Sequence, residues 1–177
     1  INNSQEIGKL IAREEGKTVV EGVGEVYRSG QFFQYFGAEV LRQMGEVTTS
    51  VRPNIDIEVT REPLGVIGVI TPWNFPVAVA AWKIAPAIAF GNSVVLKPSE
   101  IVPASASAFA EIIHQSELPD GVFNCVQGSG DVGQIITNSK NIDGISFTGS
   151  VRTGKQIAQN AMKNMVRIQV QDIYLEL

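Results

Sequence analysis

The sequence predicts an α/β fold built on a doubly wound parallel sheet, with helices in the N-terminal part of the chain. Short apolar runs without alternation recur along the second half, which is typical of strands in a parallel sheet. Segments of helical period separate these runs, and strands that alternate with helices form doubly wound sheets. In the first 44 residues, apolar side chains recur at spacings of three and four, which indicates helices.

The elements follow in a simple order. We expect a first helix that Ser4 caps and Gly16 ends, and then further helical sequence. Apolar and polar residues alternate over 45–63, as in a half-exposed strand or hairpin. We place the N-terminal part at residues 1–64 and the sheet domain at 65–177. The predicted strands are 65–70, 93–96, 122–126, 144–147 and 166–170, and the predicted helices between and after them are 76–90, 103–117, 131–138 and 151–163.

Composition is that of a globular domain, with 44% hydrophobic and 18% charged residues. The net charge of −4 gives no electrostatic reason to expect nucleic acid or an anionic membrane as a partner. A single cysteine cannot form an internal disulfide, and there is no apolar run of membrane-spanning length, so we expect a cytoplasmic protein. Because the chain opens at Ile1 without a methionine, we also expect it to start inside a longer natural chain.

Four unusual segments each follow the C-terminal end of a predicted strand. They are 71–76 (TPWNFP), 97–100 (KPSE), 128–133 (GSGDVG) and 148–150 (TGS). In a parallel sheet these ends share one edge, where the ligands of open α/β sheets bind. Each segment also opens a helix, whose free N–H groups suit a phosphate. We therefore expect the four turns to line one crevice.

The glycine-rich turns have two interpretations. Gly130 and Gly133 fit the G-x-G-x-x-G pattern, in which glycine lets the backbone approach a dinucleotide. Tight packing of a strand against a helix is the alternative, and no acidic residue stands about 20 positions further on, where the pattern usually has one. The turn at Gly149 and Ser150 is an equally good seat for a pyrophosphate.

Three polar residues carry candidate chemistry. Lys97 and Glu100 could hydrogen-bond the hydroxyls of a ribose, the alternative being a surface ion pair worth under about 1 kcal/mol. Asn74 could donate to an oxyanion, the alternative being simple turn formation. His114 is expected at the surface and Cys125 as a buried structural thiol, since a nucleophilic cysteine needs exposure. No cluster has metal-ligand spacing, so we expect no metal.

Together these motifs resemble those of the aldehyde dehydrogenase superfamily. Segments 71–76, 97–100 and 147–150 match its oxyanion, ribose and cofactor turns in order and spacing, within a resemblance that runs from about residue 4 to about residue 170. The resemblance implies a truncated aldehyde dehydrogenase fold with a Rossmann-like cofactor-binding domain. It implies NAD(P)-dependent oxidation of an aldehyde to a carboxylic acid through a cysteine thiohemiacetal.

The resemblance also implies roles for residues. Asn74 would stabilise the oxyanion, and Lys97 and Glu100 would hold the adenosine ribose. Because a carboxylate at Glu100 should repel a 2′-phosphate, we expect NAD, with NADP as the alternative. The other expected cofactor-binding residues are Ile70, Thr71, Pro72, Trp73, Asn74, Ser99, Gly130, Gly133, Phe147, Thr148, Gly149, Ser150 and Thr153.

The family's catalytic cysteine would lie beyond residue 177, and its general base corresponds either to Glu176 or to the position of Gln171. Segments 58–65 and 82–86 resemble those of semialdehyde dehydrogenases. Enzymes that act on 2-oxoglutarate semialdehyde or succinate semialdehyde are the preferred match. The implied partners are a small-molecule aldehyde and the dinucleotide, with a homodimer or homotetramer at full length. The alternatives are a non-catalytic dinucleotide-binding module and a degenerate structural fragment.

Overall fold

The computed structural model describes residues 1–172. Helices and strands alternate through most of this range, with an antiparallel hairpin between the second helix and the third strand. The elements are α1 (Ser4–Glu15), α2 (Val19–Glu39), β1 (Glu46–Thr49), β2 (Asp56–Val59), β3 (Val66–Ile70), α3 (Ala78–Ala89), β4 (Ser93–Lys97), α4 (Pro103–His114), β5 (Phe123–Cys125), α5 (Gly130–Asn138), β6 (Gly144–Gly149), α6 (Val151–Lys163) and β7 (Arg167–Asp172).

Five parallel strands form the central sheet, in the order β5-β4-β3-β6-β7. The chain runs outward from β3 to β5, then crosses back and runs outward again through β6 and β7. The strand order therefore reverses between β3 and β6, where open α/β sheets bind their ligands. Ile70 on β3 pairs with Lys97 on one side and with Phe147 on the other. The predicted doubly wound parallel sheet is confirmed.

Apolar side chains cover both faces of the sheet. On one face, Val69 and Leu96 pack with the helices α1 to α4, and on the other face Ile145 and Phe147 pack with α5 and α6. Because both faces are covered, the central strands carry runs of apolar residues rather than an alternating pattern. His114 lies exposed at the end of α4, as expected.

The first two helices form a close antiparallel pair. A Cβ on Gly8 would lie 2.5 Å from the backbone nitrogen of Val23, so only glycine permits this approach. Gly16 ends α1 in the left-handed conformation, as predicted. The prediction that Ser4 caps α1 is wrong: Ser4 is the first helical residue, and Asn3 stands at the cap position without a side-chain hydrogen bond.

The hairpin of β1 and β2 projects from the fold. All of its strand residues are exposed, so the expected half-exposed surface is wrong. Alternation reflects the pleat of a strand, but burial also requires an opposing layer, which residues 1–172 do not supply. In the same range, no helix is long and apolar enough to cross a lipid bilayer.

Candidate functional site

The polar turns meet at the carboxyl edge of the sheet. Because Ile70, Lys97 and Phe147 are in register on adjacent strands, the turns that follow them start side by side. The backbone N–H of Thr71 donates to the carbonyl of Lys97 at 3.3 Å, which ties the first two turns together. Segments far apart in sequence thus share one edge.

A groove of about 280 Å³ opens at this edge between the sheet and the helices α5 and α6. Six of the predicted residues line it: Ile70, Lys97, Glu100, Gly130, Gly133 and Thr153. The sequence analysis missed five further lining residues: Gln134, Thr137, Gln156, Ile157 and Asn160. Both helices face the groove with residues at successive spacings of three, one and three, so the helical period from the predicted glycines and from Thr153 could have found them.

Lys97 and Glu100 are unequally exposed. The Lys97 ammonium lies 3.1 Å from Oε2 of Glu100, yet the Lys97 side chain is 6% exposed and that of Glu100 is 55% exposed. A hydrogen bond from its own backbone and a second one from Lys97 lower the pKa of Glu100, so the carboxylate is ionised at neutral pH. The pair is therefore exposed on the Glu100 side only, and the buried Lys97 ammonium needs a partner to offset the cost of its desolvation.

Two glycines of the groove leave room for a ligand. A Cβ at Gly130 would meet no atom within 4 Å, and one at Gly133 would only touch Cδ1 of Ile70 at 3.9 Å. Gly128 differs, because its φ of 153° and the nearby Val132 side chain require glycine. Internal packing therefore explains Gly128 but not the other two. The open space beside their backbone leaves room for a ligand to approach closely.

The start of α6 is capped from within. The hydroxyl of Ser150 accepts from the backbone N–H of Thr153 at 3.3 Å and lies 3.0 Å from the Thr153 hydroxyl. A Cβ on Gly149 would come within 2.5 Å of the Phe147 ring. Packing within β6 therefore accounts for the glycine at 149. Gly149 and Ser150 lie at the edge, outside the lining of the groove.

Asn74 occupies the turn after β3, also outside the groove lining, between the half-buried Trp73 and the exposed Phe75. Its Oδ1 is buried, and the described residues offer it no hydrogen-bond partner. A buried polar atom is normally paired, so this acceptor lacks a partner among the described residues, whereas an oxyanion would need the N–H groups of Nδ2 on the same carboxamide. The Lys17 ammonium donates to the Asn74 carbonyl at 3.1 Å.

Lys83 is a buried lysine that the sequence analysis did not single out. It donates to Oγ of Ser146 at 3.0 Å, and Ser146 in turn donates to Gln169. Burial lowers the pKa of Lys83 to about 8, so the amine is part neutral near physiological pH. Lys83 is the one charged residue of α3, and that isolation in an apolar helix was the available signal.

Among residues 1–172, the remaining predicted site residues do not line the groove, and most of them are buried or hydrogen-bonded to neighbouring residues. Phe147 and Thr148 are buried within β6, and Ser99 accepts weakly from the backbone N–H of Ile101 at 3.4 Å. Thr148 lies in register with Gln171 and donates to its Oε1 at 3.4 Å. Glu176, the other candidate for a general base, lies outside the described residues. Thr71 is buried and Pro72 half-buried.

Cys125 is half-buried in β5 and packs against the core on one face of the sheet. Burial raises the pKa of its thiol, which keeps it protonated and weakly nucleophilic at neutral pH. Among residues 1–172, no group of three or more His, Cys, Asp and Glu side chains could hold a metal ion.

The fold and the groove define an open α/β protein with a ligand groove beside the switch point of its doubly wound parallel sheet. The model of the aldehyde dehydrogenase family matches residues 1–172, and the chain belongs to that family. It is 40% identical over 171 residues to 2,5-dioxopentanoate dehydrogenase of Saccharolobus solfataricus, covering 95% of this chain and 36% of that protein. It is 39% identical over 167 residues to α-ketoglutarate semialdehyde dehydrogenase of Haloferax volcanii, covering 94% and 35%.

Solved structures of the family share this fold. Betaine aldehyde dehydrogenase from Staphylococcus aureus, in complex with NAD⁺, superposes with a TM-score of 0.93 at 36% identity, over 96% of this chain and 34% of that one. Lactaldehyde dehydrogenase from Escherichia coli gives 0.93 at 38% identity, over 96% and 36%. The chain thus spans about a third of the length of the relatives it matches.

Proposed function

We propose that this chain is the cofactor-binding part of an enzyme that oxidises an aldehyde to a carboxylic acid with NAD. The observation that carries the proposal is the groove at the switch point. There a buried ammonium, an ionised carboxylate and two glycines that packing does not require face the same space. The NAD⁺ complex of the Staphylococcus aureus relative supports the choice of cofactor.

Each group has a part in this proposal. Lys97 and Glu100 bind the hydroxyls of the adenosine ribose, and the carboxylate disfavours the 2′-phosphate of NADP. Gly130, Gly133 and Thr153 form the wall along which the dinucleotide lies. The turn residues Thr71, Pro72, Trp73, Ser99, Gly149 and Ser150, with Ile70, Phe147 and Thr148 of the strands, complete the proposed site at the same edge. When bound, NAD supplies the hydride acceptor.

Asn74 is the proposed catalytic residue within the described chain. The carbonyl oxygen of an aldehyde gains negative charge when a nucleophile adds to the carbon, and a fixed amide N–H stabilises that charge. The nucleophile would lie beyond residue 177, and the water-activating base would correspond either to Glu176 or to the position of Gln171. We propose residues 65–177 as the cofactor domain and 1–64 as an N-terminal segment whose helices pack on it.

The substrate class we propose is a semialdehyde with a carboxylate at its far end, such as 2-oxoglutarate or succinate semialdehyde. Relatives whose names give these substrates support the choice. We propose a homodimer or homotetramer for the full-length enzyme. A non-catalytic dinucleotide-binding module and a degenerate fragment are the competing proposals.

An NADH-production assay on the full-length enzyme tests this function. We expect turnover with a panel of semialdehydes, and a fall of about 100- to 1,000-fold in kcat for Asn74→Ala, as for loss of an oxyanion donor. The conservative control is Asn74→Gln, which keeps the amide but misplaces it. A full-length protein that binds NAD but produces NADH from none of the aldehydes tested would favour the non-catalytic module instead.

A further inference from the structure

A buried ion cluster lies behind the Asn74 turn. The Lys17 ammonium is 2.6 Å from Oε2 of Glu25 and 2.9 Å from Oε2 of Glu15, and all three side chains are at most 11% exposed. Burial alone lowers the pKa of Lys17, but its hydrogen bond to Glu25 and its ion pairs with Glu25 and Glu15 outweigh burial and raise that pKa. Lys17 is therefore charged at neutral pH and held between two carboxyl groups.

The same cluster binds the turn that carries Asn74. The Lys17 ammonium donates to the Asn74 carbonyl at 3.1 Å and lies 4.1 Å from the centre of the Phe75 ring. Glu25 accepts at Oε1 from the backbone N–H groups of Val77 at 2.9 Å and Ala78 at 3.0 Å. The Lys17 ammonium thus binds the middle of the turn, and the Glu25 carboxylate binds its end. Both side chains come from the segment of the first two helices.

These contacts replace the regular hydrogen bonds that the turn lacks. Within the described residues, backbone hydrogen bonds hold Thr71 to Lys97 at the start of the segment and Phe75 to Val79 at its end, and residues 72–74 make no backbone–backbone hydrogen bond. Buried charges are retained in proteins when they are fully paired, and removal of one partner leaves an uncompensated charge. Loss of either charge would therefore shift the backbone at Asn74.

We propose that Lys17 and Glu25 are positioning residues for the oxyanion donor: they fix the backbone of Asn74 so that its carboxamide points at the reacting carbonyl, a role that rests on the proposed function. Glu14 supplies an internal comparison. It caps α4, accepting from the N–H groups of Ala104 and Ser105 at 2.7 Å each, but does not touch the Asn74 turn. Glu14 thus caps α4 and Glu25 caps α3, and only α3 follows directly after the Asn74 turn.

A double-mutant cycle in the full-length enzyme tests this role. Lys17→Met and Glu25→Ala are each made in the natural background and in Asn74→Ala, and kcat/KM for the aldehyde is measured at saturating NAD. We expect each to lower kcat/KM by about 10-fold or more alone, since small misplacements of a catalytic group are costly. In the Asn74→Ala background each should cost less than about 2-fold, because residues that act through one another are not additive.

Two controls separate positioning from general stability. Glu14→Ala removes a matched pair of cap bonds and should lower Tm as Glu25→Ala does, while leaving kcat/KM within about 2-fold. Glu25→Gln keeps the acceptor for Val77 and Ala78 and should recover part of the lost activity. The dissociation constant for NAD should change much less than kcat/KM in these variants, because the groove residues Lys97, Glu100, Gly130 and Gly133 lie on other segments than the Asn74 turn.

The outcomes are distinct. An active enzyme in which the losses from Lys17→Met and Glu25→Ala multiply with that of Asn74→Ala overturns the positioning role and leaves aldehyde oxidation standing. An equal loss of kcat/KM in Glu14→Ala also overturns it. Natural full-length protein that oxidises no aldehyde overturns the proposed function, and the positioning role with it.

Discussion

The Lys97 ammonium reaches 3.1 Å from Oε2 of Glu100 while its own side chain is almost fully buried. Lys97 ends β4 beside Ile70, and Glu100 stands three residues later at the mouth of the groove. A rigid, buried donor beside an exposed acceptor offers a vicinal diol both kinds of hydrogen bond at once. This pairing is the feature of the groove on which the proposal of a ribose-binding site rests.

Replacing Glu100 by Gln should shift preference from NAD toward NADP. The exposed carboxylate repels a 2′-phosphate, and its removal should improve NADP binding relative to NAD on the order of 10-fold. Calorimetric titration of both cofactors into the full-length variant measures the ratio. The same ratio in the variant as in the natural protein would show that Glu100 does not face the 2′ position.

Gly133→Ala should separate stability from binding. Alanine fits the open space and favours helix, so the free energy of unfolding should rise by about 0.5–1 kcal/mol. Its methyl group would stand where the dinucleotide lies, so NAD should bind at least about 10-fold more weakly. Gly128→Ala is the contrasting variant and should destabilise the fold. Urea unfolding and NAD titration of both variants check this, and unchanged NAD binding in Gly133→Ala would place the cofactor elsewhere.

The buried amine of Lys83 should titrate near pH 8, since burial lowers its pKa to about 8. NMR of the ¹³Cε resonance, assigned by its absence in Lys83→Met, measures the midpoint. A midpoint above pH 10 would mean that the ammonium is solvated in the folded protein.

The same shift has a consequence for stability. Lys83 has a folded pKa below the unfolded one, so its contribution is fully present above about pH 10.5 and lost as pH falls through about 8. Between these values the free energy of unfolding should rise with pH, by on the order of 3 kcal/mol in total. Lys83→Met should lack this rise in urea unfolding curves. A natural protein and variant with parallel pH profiles would argue against it.

Cys125 should be dispensable for chemistry. Its thiol packs in the core and its pKa is raised by burial, so Cys125→Ala should keep aldehyde oxidation in the full-length enzyme within about 3-fold. The free energy of unfolding should fall by about 1 kcal/mol, because the alanine loses the packing contacts of the thiol. Abolished turnover in a folded Cys125→Ala protein would make this thiol the nucleophile.

The sequence predicted the sheet and its ligand-binding edge because both depend on local pattern. Apolar runs mark buried strands, and a turn after a parallel strand must lie at the carboxyl edge. Gly130 and Gly133 could be placed there from the motif alone, whereas their freedom from packing required the positions of Ile70 and Val132.

Contacts between distant segments were beyond sequence reasoning. Glu25 caps α3 from 52 residues away, and no local pattern encodes that meeting. A signal was nonetheless present: Glu25 lies on the buried stripe of α2 with Gly22, Val26 and Ser29, and a charge at such a position requires a partner. The exposed hairpin β1–β2 shows a different limit of sequence reasoning. Its alternating apolar and polar residues predicted strands, but they could not show whether another layer of the fold covers one face.

Titration of NAD into the 177-residue chain, followed by calorimetry and by thermal unfolding, tests the central claim most directly. Binding should release heat, and at 100 times the dissociation constant NAD should add about 2.7 kcal/mol to the free energy of unfolding. Lys97→Met should abolish most of both effects. A folded chain that shows neither heat of binding nor a change in Tm at saturating NAD would contradict a dinucleotide site at this edge of the sheet.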